Sequence, residues 1–333
     1  MPPHHHLLRI VFLAGSVQLA PANAVSEEVR PDQVVSALEN TFGVHPGERR
    51  NHIKGTCAGG SLVGLPAIRP FTRSTLFNGK AVPVIARFSV PGGNPHAPDT
   101  ARSPRGLALQ FSLGDGSRHH MSMLNTPVFG ASSPQTFLSD IVAKQPNAET
   151  GKPDPERINA FHAAHADSRA QSEFLSRHNP PPSWANSSYF GIHTFKFVSQ
   201  ESTTTLVRWR FVPKDGEAEL TGAQLTSMPS DFLEARLIDR VRRGPIHWDM
   251  IVTIGKAGDV ENDPTRLWPA DRQEIKAGTL TIDSAQPQKG AACEKVNFDP
   301  LVMSDGVQPT NDPVLLFRSP AYAISFGKRL SGQ

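Results

Sequence analysis

Strict alternation of apolar side chains is the feature that most constrains the fold of this chain. Between residues 107 and 113, every second position is Leu or Phe, a pattern typical of a strand with one buried face. Residues 82–89 alternate in the same way just upstream. Many strands at uneven spacing predict one antiparallel β-barrel. Similar runs occur at 189–198, 204–212 and 247–254, with a shorter one around Leu280 and Ile282.

Helical patterns separate several of these strand runs. Residues 134–143 and 155–177 each have the spacing of a helix, and three consecutive prolines end the second. Near the start, Asp32 is placed to cap a short amphipathic helix with Val35 and Leu38 on its apolar side. We therefore expect an α+β fold in which helices are inserted between the strands of the barrel.

The composition is that of a globular protein, with 38% hydrophobic and 20% charged residues among 333. The net charge of +3 is spread along the chain without a Lys/Arg run. Nucleic acid is therefore not a predicted partner.

The N-terminal segment has the pattern of an export signal. Residues 7–20 are largely apolar, and Ala22-Asn-Ala24 fits a small-residue cleavage site. We predict a signal peptide over 1–24, a single domain over 25–333, and a periplasmic or secreted protein. The apolar stretch is too short for a membrane span, and no later segment is long enough, so no span is expected.

Two cysteines, Cys57 and Cys293, leave one pairing within the chain. An oxidising compartment would favour a disulfide between them. Two separate buried thiols are the alternative, and both readings stay open at this point.

The C-terminal region places a phenol between two guanidinium groups. Arg318 precedes Tyr322 by four residues, which puts both on one helical face, and Arg329 follows seven residues later. A cation beside a phenol favours the phenolate form. Phenolate is a ligand suited to ferric iron, including haem iron. This motif predicts an iron ligand only if the rest of the chain supports it.

Other motifs supply that support, and their order along the chain is specific. The motifs are Arg49-Arg-Asn-His52, Ala86-Arg-Phe-Ser89, Asp99-Thr-Ala-Arg-Ser-Pro-Arg-Gly106, Asn125-Thr-Pro-Val-Phe129, Asp263-Pro-Thr-Arg-Leu-Trp-Pro269, Phe298-Asp-Pro300 and Arg318-Ser-Pro-Ala-Tyr322. Taken together, they resemble the catalase family over residues 49–329, nearly the whole chain after the signal. The resemblance implies a catalase-like antiparallel β-barrel with helical insertions and a C-terminal helix that ligates haem b.

The resemblance also implies roles for individual residues. His52 matches the distal histidine and Asn125 the distal asparagine, the two catalytic residues. Tyr322 matches the axial ligand of the haem iron, with Arg318 as its partner. The remaining matches are cofactor-binding: three arginines that pair with haem propionates, a serine that orients the distal imidazole, and an aromatic residue near the haem. These are Arg49, Arg87, Arg329, Ser89 and Phe129.

The chain stops four residues after Arg329, which resembles the catalase-related peroxidases, the short members of the family. That subgroup implies a peroxidase that reduces hydrogen peroxide and organic hydroperoxides through compound I, with weak catalase activity. A small-molecule electron donor is then required, and a homodimer is one option for the oligomeric state. Two alternatives remain: a haem-dependent fatty-acid hydroperoxide isomerase resembling allene oxide synthase, and a non-enzymatic haem-binding protein.

Three positions depart from the pattern of large catalases. Asn51 is polar where a small apolar residue is usual before the distal histidine. Gly130 follows Phe129 where a second aromatic ring is common, and we expect its absence to widen the pocket. Pro320 lies inside the C-terminal helix, which should restart or kink there. Separately, His162 and His165 have i, i+3 spacing, but we assign no metal to them because no third ligand is evident.

Overall fold

The computed structural model describes Met1 and residues 28–333, so the predicted signal peptide lies outside the described residues apart from Met1. In this part of the chain, nine strands form one antiparallel sheet that closes on itself. The strands are β1 (Gly55–Gly64), β2 (Ala81–Ser89), β3 (Gly106–Ser112), β4 (Arg118–Leu124), β5 (Tyr189–Val198), β6 (Thr204–Pro213), β7 (Ile246–Ile254), β8 (Glu274–Pro287) and β9 (Val307–Pro309).

The sheet is an eight-stranded barrel to which a short ninth strand is added. The strand order is β4-β3-β2-β1-β8-β7-β6-β5-β9, and β4 also pairs with β5 through Leu124 and Phe190, which closes the barrel. Closure removes the free edges that an open sheet would expose. The α+β barrel predicted from the alternating runs is confirmed.

Helices occupy the connections between strands and the C-terminal end. The segment 155–177, predicted as one helix, is interrupted at His165, where the Ser168 hydroxyl donates to the His165 carbonyl and competes with the helical pattern. The helices are α1 (Pro31–Phe42), α2 (Pro134–Ala143), α3 (Pro155–Ala164), α4 (Arg169–Arg177), α5 (Gly222–Ser227), α6 (Leu233–Arg242) and α7 (Pro313–Leu330).

Two other helix predictions can be compared with the structure. Helix α1 begins at Pro31, so Asp32 lies in its first turn instead of capping it. Helix α7 continues through Pro320 as one element from Pro313 to Leu330, so it does not restart there. Its N-terminus is capped by Asp312, whose carboxylate accepts from the amides of Val314 and Leu315.

Alternation along the strands places apolar side chains inside the barrel and several polar side chains on its outer face. On β2, Ala86 and Phe88 point into the barrel and belong to its large buried core. Arg87 and Ser89 occupy the intervening positions and therefore lie on the outer face. On that face, α1, α2 and α7 pack together through a separate apolar cluster that includes Leu38 and Phe317. The space between the barrel and these helices is where the candidate site lies.

The two cysteines are joined. Cys57 on β1 and Cys293 form a disulfide with a Cα–Cα distance of 5.6 Å, and both are almost fully buried. This result decides between the two readings that the sequence left open. Among the described residues, no helix is long and apolar enough to cross a membrane.

Candidate active site

A cavity of about 580 Å³ separates the outer face of the barrel from the helices α1, α2 and α7. The strands β2 to β4 supply one wall, with Ser89, Gly106 and Leu124 among its residues. Helix α7 supplies the facing wall and carries Arg318 and Tyr322. Of the nine site residues predicted from the sequence, the structure places eight on this cavity; Asn125 is the exception.

His52 is held on the barrel wall in an unusual backbone conformation. Its φ of 55° lies in the left-handed region that residues with a side chain rarely adopt. The Asn51 carboxamide oxygen accepts from the amides of His52 (2.9 Å) and Gly92 (2.7 Å), and the Arg87 guanidinium donates to the His52 carbonyl at 2.7 Å. Strain of this kind persists only where surrounding contacts over-determine it, which is common at active sites.

The imidazole of His52 is fixed from two further directions. Its Nδ1 lies 2.9 Å from the Ser89 hydroxyl, the contact that the sequence predicted for this pair. The ring also rests against the backbone of β3 at Gly106, where an added Cβ would lie 3.1 Å from the ring and 2.7 Å from the Ser89 oxygen. Only glycine leaves this space free, so Gly106 is required by close approach.

The surroundings of His52 keep its imidazole neutral. Burial, together with like-charge repulsion from the nearby cations Arg87, Arg318 and Arg49, lowers its pKa to about 3. A neutral imidazole at physiological pH can accept a proton. With Nδ1 engaged by Ser89, Nε2 is the nitrogen left for that purpose.

On the opposite wall, a chain of hydrogen bonds leads to the phenol of Tyr322. One guanidinium nitrogen of Arg318 donates to the Tyr322 oxygen at 2.8 Å, and another lies 3.2 Å from His193 Nε2. The Nδ1 atom of His193 lies 2.7 Å from the Asp312 carboxylate, and both side chains are 1% exposed. Tyr322 is thus hydrogen-bonded in series to three residues: Arg318 on α7, His193 on β5 and Asp312 at the N-cap of α7.

The donors and acceptors in this series of hydrogen bonds determine the tautomer of His193. Arginine can only donate, so His193 Nε2 must accept and Nδ1 must carry the proton that Asp312 receives. Burial lowers the pKa of His193, which favours this neutral form. Burial alone would raise the pKa of Asp312, but the hydrogen bonds from His193 and from the Val314 and Leu315 amides together outweigh it, and the pKa is lowered. Arg318 is thereby fixed with its charge against the phenol oxygen.

Three arginines gather at one end of the cavity. Arg49 donates to the carbonyls of Cys293, Glu294 and Val296, at 2.9 to 3.2 Å. Burial lowers the pKa of Arg49 to about 8 and that of Arg87 to about 10, and mutual repulsion among the three cations contributes. Arg329 is also buried, and its Nη1 atom has no hydrogen-bond partner in the described structure.

This charge distribution indicates an anionic ligand. Within the described residues, none of the three arginines forms an ion pair with a carboxylate, although burying a charge without a counter-ion is costly. A ligand with carboxylates at one edge and an apolar body would supply counter-ions to the arginines and fill the apolar walls. The residues present therefore fit an iron porphyrin between His52 and Tyr322.

The prediction for Asn125 needs correction. Its side-chain oxygen accepts from the backbone N–H of Arg105 at 2.6 Å, and its backbone N–H donates to the Arg105 carbonyl at 2.8 Å. These contacts fix it to the backbone that precedes β3, away from the cavity. Its neighbour Leu124 lines the cavity instead, because alternation along β4 gives that position the outward direction. The barrel wall therefore has a leucine where an amide was expected.

The space beside Gly130, where the missing ring was expected to widen the pocket, is occupied by another side chain. An added Cβ there would lie 2.7 Å from the carboxamide oxygen of Gln171 on α4, so a side chain fills the space left by the missing ring. Gln171 donates to the Thr126 hydroxyl (2.9 Å) and the Val128 carbonyl (3.1 Å), and it lines the cavity. Phe129 lies nearby with its ring centroid 5.6 Å from that of Phe137.

Sequence reasoning missed several contributors to the site. In the sequence, His193 is only one polar residue within a predicted strand. Asp312 is identified there as a helix cap, which is correct, but its contact with His193 is not predicted. Gly106 ends a recognised motif, but its contact with an imidazole from another segment cannot be read from spacing. Only the periodicity of β5, which places His193 in a buried strand, gave a usable signal.

Comparisons with known proteins agree with this geometry. A sequence model of the catalase family matches residues 44–333. The chain is 53% identical over 325 residues to a catalase-related peroxidase of Synechococcus elongatus, covering 98% of this chain and 96% of that protein. A catalase-related peroxidase of Mycolicibacterium paratuberculosis is 31% identical, covering 90% of this chain and 95% of that protein.

Solved structures share the fold. A bacterial catalase superposes with a TM-score of 0.79 at 25% identity, covering 97% of this chain and 68% of its own. Catalase A from Saccharomyces cerevisiae gives a TM-score of 0.80 at 23% identity, covering 86% of this chain and 62% of its own. The chain belongs to the catalase family, whose cofactor is of the haem type.

Proposed function

We propose that this protein is a haem b peroxidase that reduces hydrogen peroxide and organic hydroperoxides, with weak catalase activity. The observation that carries the proposal is the placement of a neutral base, His52, and an arginine-held phenol, Tyr322, on facing walls of one cavity with three buried cations at its end. The similar catalase-related peroxidases support the same activity.

The residues would hold the cofactor at two places. Arg49, Arg87 and Arg329 would receive its two carboxylates, which removes the unpaired buried charge described above. Tyr322, with Arg318 donating to its oxygen, would ligate the iron as a phenolate. When bound, the cofactor would supply the two electrons that reduce the peroxide O–O bond, and an external donor would restore them.

The catalytic work of the protein itself is proton transfer. His52 Nε2 takes the proton of the incoming peroxide and returns it to the oxygen that leaves as water or alcohol. Ser89 and Gly106 hold the ring in place for both transfers. Because Leu124 replaces the expected amide, no amide from β4 orients the peroxide, and the adjacent wall is apolar. This arrangement favours a peroxide with an organic substituent over a second molecule of hydrogen peroxide.

Product analysis tests the proposal. Protein reconstituted with haem b should convert cumene hydroperoxide to the corresponding alcohol while oxidising a phenolic donor. Replacing His52 with Ala should lower kcat/KM by about 10²- to 10⁴-fold without loss of bound haem. Conversion of a fatty-acid hydroperoxide to an epoxide without donor would favour the isomerase. Bound haem without any turnover would favour the carrier.

We further propose an exported protein with a cleaved signal over 1–24 and one domain over 25–333. The buried disulfide supports an oxidising compartment, because such bonds persist there and are rare in reducing ones. Mass spectrometry of the protein purified from its host would identify the mature N-terminus, and a chain that keeps Met1 would contradict a cleaved signal.

A further inference from the structure

A single segment, residues 288–298, contacts all three arginines of the cavity. The Gln288 carboxamide oxygen accepts from Arg87 at 2.6 and 3.1 Å. Three carbonyls further along, from Cys293 to Val296, accept from Arg49. The Val296 carbonyl also lies 3.4 Å from a guanidinium nitrogen of Arg329. We call residues 288–298 the arginine-holding segment.

The orientation of Gln288 is fixed by chemistry. Its Nε2 donates to the Ile53 carbonyl at 2.9 Å, and its oxygen faces the Arg87 guanidinium, which can only donate. The same Arg87 nitrogen donates to the carbonyls of His52 and Ile53. Gln288 therefore connects the arginine-holding segment both to a cofactor-binding cation and to the strained turn of His52.

The middle of the segment is tied covalently to the barrel. Cys293 is 0% exposed and Cys57, on β1, is 3% exposed, and the disulfide joins positions 236 residues apart in sequence. Besides this bond and the hydrogen bonds described above, a small cluster anchors the segment: Ala291, Val296 and Phe298 pack beside the cysteines. So small a cluster buries little apolar surface, and the covalent bond therefore adds substantially to the anchoring.

We propose that the Cys57–Cys293 disulfide and Gln288 are positioning elements that pre-organise the three arginines for the carboxylates of the cofactor. The inference rests on the proposed haem-binding function and deepens it. Three like charges on one wall repel one another, so backbone carbonyls and a carboxamide must hold them in place before an anion arrives. A receptor fixed in its bound geometry loses less entropy on binding, which lowers the rate of release.

The test compares two cofactors that differ only at their two carboxyl groups. Haem b carries two carboxylates, whereas its dimethyl ester carries none. Release of each to an excess of a haem-scavenging apoglobin gives two rate constants, and the ratio of ester to haem b reports how much the arginines contribute. A loss of structure alone accelerates both releases and leaves the ratio unchanged.

The variants are Cys57→Ala with Cys293→Ala, and Gln288→Ala. Each should reduce the ester-to-haem ratio by about tenfold or more, the effect of losing one charge-assisted hydrogen bond. The control is Leu237→Ala on α6, which is 0% exposed and lies off the cavity. It should weaken the fold without changing the ratio. Circular dichroism of each apoprotein confirms that release is measured from folded protein.

Each outcome is decisive. A wild-type ratio in both the disulfide and the Gln288 variants would overturn the proposal, as would an equal fall in the Leu237→Ala control. If the wild-type protein released both cofactors at the same rate, the arginines would not bind carboxylates and the inference would fail at its first step. If the wild-type protein retained neither cofactor, the haem-binding function itself would fail instead.

Discussion

Replacing Gly106 with Ala tests how the position of the His52 ring is set. The new methyl group would lie 2.7 Å from the Ser89 oxygen and 3.1 Å from two atoms of the imidazole, closer than ordinary contacts of 3.4 to 4 Å. The ring and the hydroxyl must therefore move by several tenths of an ångström or more. Misplacing a catalytic group by 1 Å can cost about 10²-fold in rate, so we expect a reaction with peroxide about 10- to 100-fold slower.

Stability should respond much less than rate. Gly106 does not have a positive φ, so alanine is compatible with its backbone. Restricting the unfolded chain stabilises by about 0.4–1 kcal/mol. Displaced rotamers cost about 0.5–1.5 kcal/mol, so the two effects nearly cancel. The free energy of unfolding, measured with urea, should change by less than about 1 kcal/mol.

The assay is stopped-flow absorbance of the haem-reconstituted protein mixed with peroxide. Gly114→Ala is the matched control, because it follows the same strand and nothing lies within 4 Å of an added Cβ. It should react like the wild type. A Gly106→Ala protein that also reacts at the wild-type rate, with haem bound, would show that packing against β3 does not position the base.

Three further changes test other parts of the site. Asn51→Ala removes the acceptor for two backbone amides at the strained turn, so the free energy of unfolding, measured with urea, should fall by about 1–3 kcal/mol. Asn51→Asp keeps an acceptor, and its free energy of unfolding should stay closer to that of the wild type. Asp312→Asn places an amide donor beside His193 Nδ1, which forces the proton of His193 onto Nε2. We expect the ferric absorption spectrum to change, and an identical spectrum would contradict the role of the hydrogen bonds that lead from Asp312 to Tyr322. Burial lowers the pKa of His119 to about 3, so between that value and about 6.5 only the unfolded state binds its proton and stability rises with pH. His119→Gln should reduce this slope by up to about 1.4 kcal/mol per pH unit, and an unchanged slope of the urea midpoint would refute the assignment.

The alternating runs predicted the barrel because period-two patterning directly reflects which face of a strand is buried. The strand at 107–113, for example, has its predicted apolar residues in the barrel core. The closure of β4 on β5 through one residue pair could not be predicted, because it depends on contacts between segments far apart in sequence. The break at His165 was missed because a hydroxyl three residues away competes locally with the helix.

The site was predictable where a motif carries its own geometry. Arg318 and Tyr322 meet because i, i+4 spacing on a helix brings them together even with Pro320 between them. The prediction for Asn125 failed because neighbouring side chains along a strand point to opposite faces. A shift of one residue in the assignment therefore puts Leu124 on the cavity in place of the Asn125 amide. The arginine-holding segment had no sequence signature, since backbone carbonyls supply most of its contacts to Arg49.

The absorption spectrum of haem-reconstituted protein before and after one equivalent of peracetic acid tests the central claim most directly. If Tyr322 ligates the iron and His52 transfers the proton, the ferric protein should be high-spin and its Soret band should bleach rapidly on mixing. His52→Ala should bind haem with the same ferric spectrum but bleach much more slowly. Bound haem whose spectrum does not respond to the peracid, or well-folded protein that binds no haem, would contradict the account.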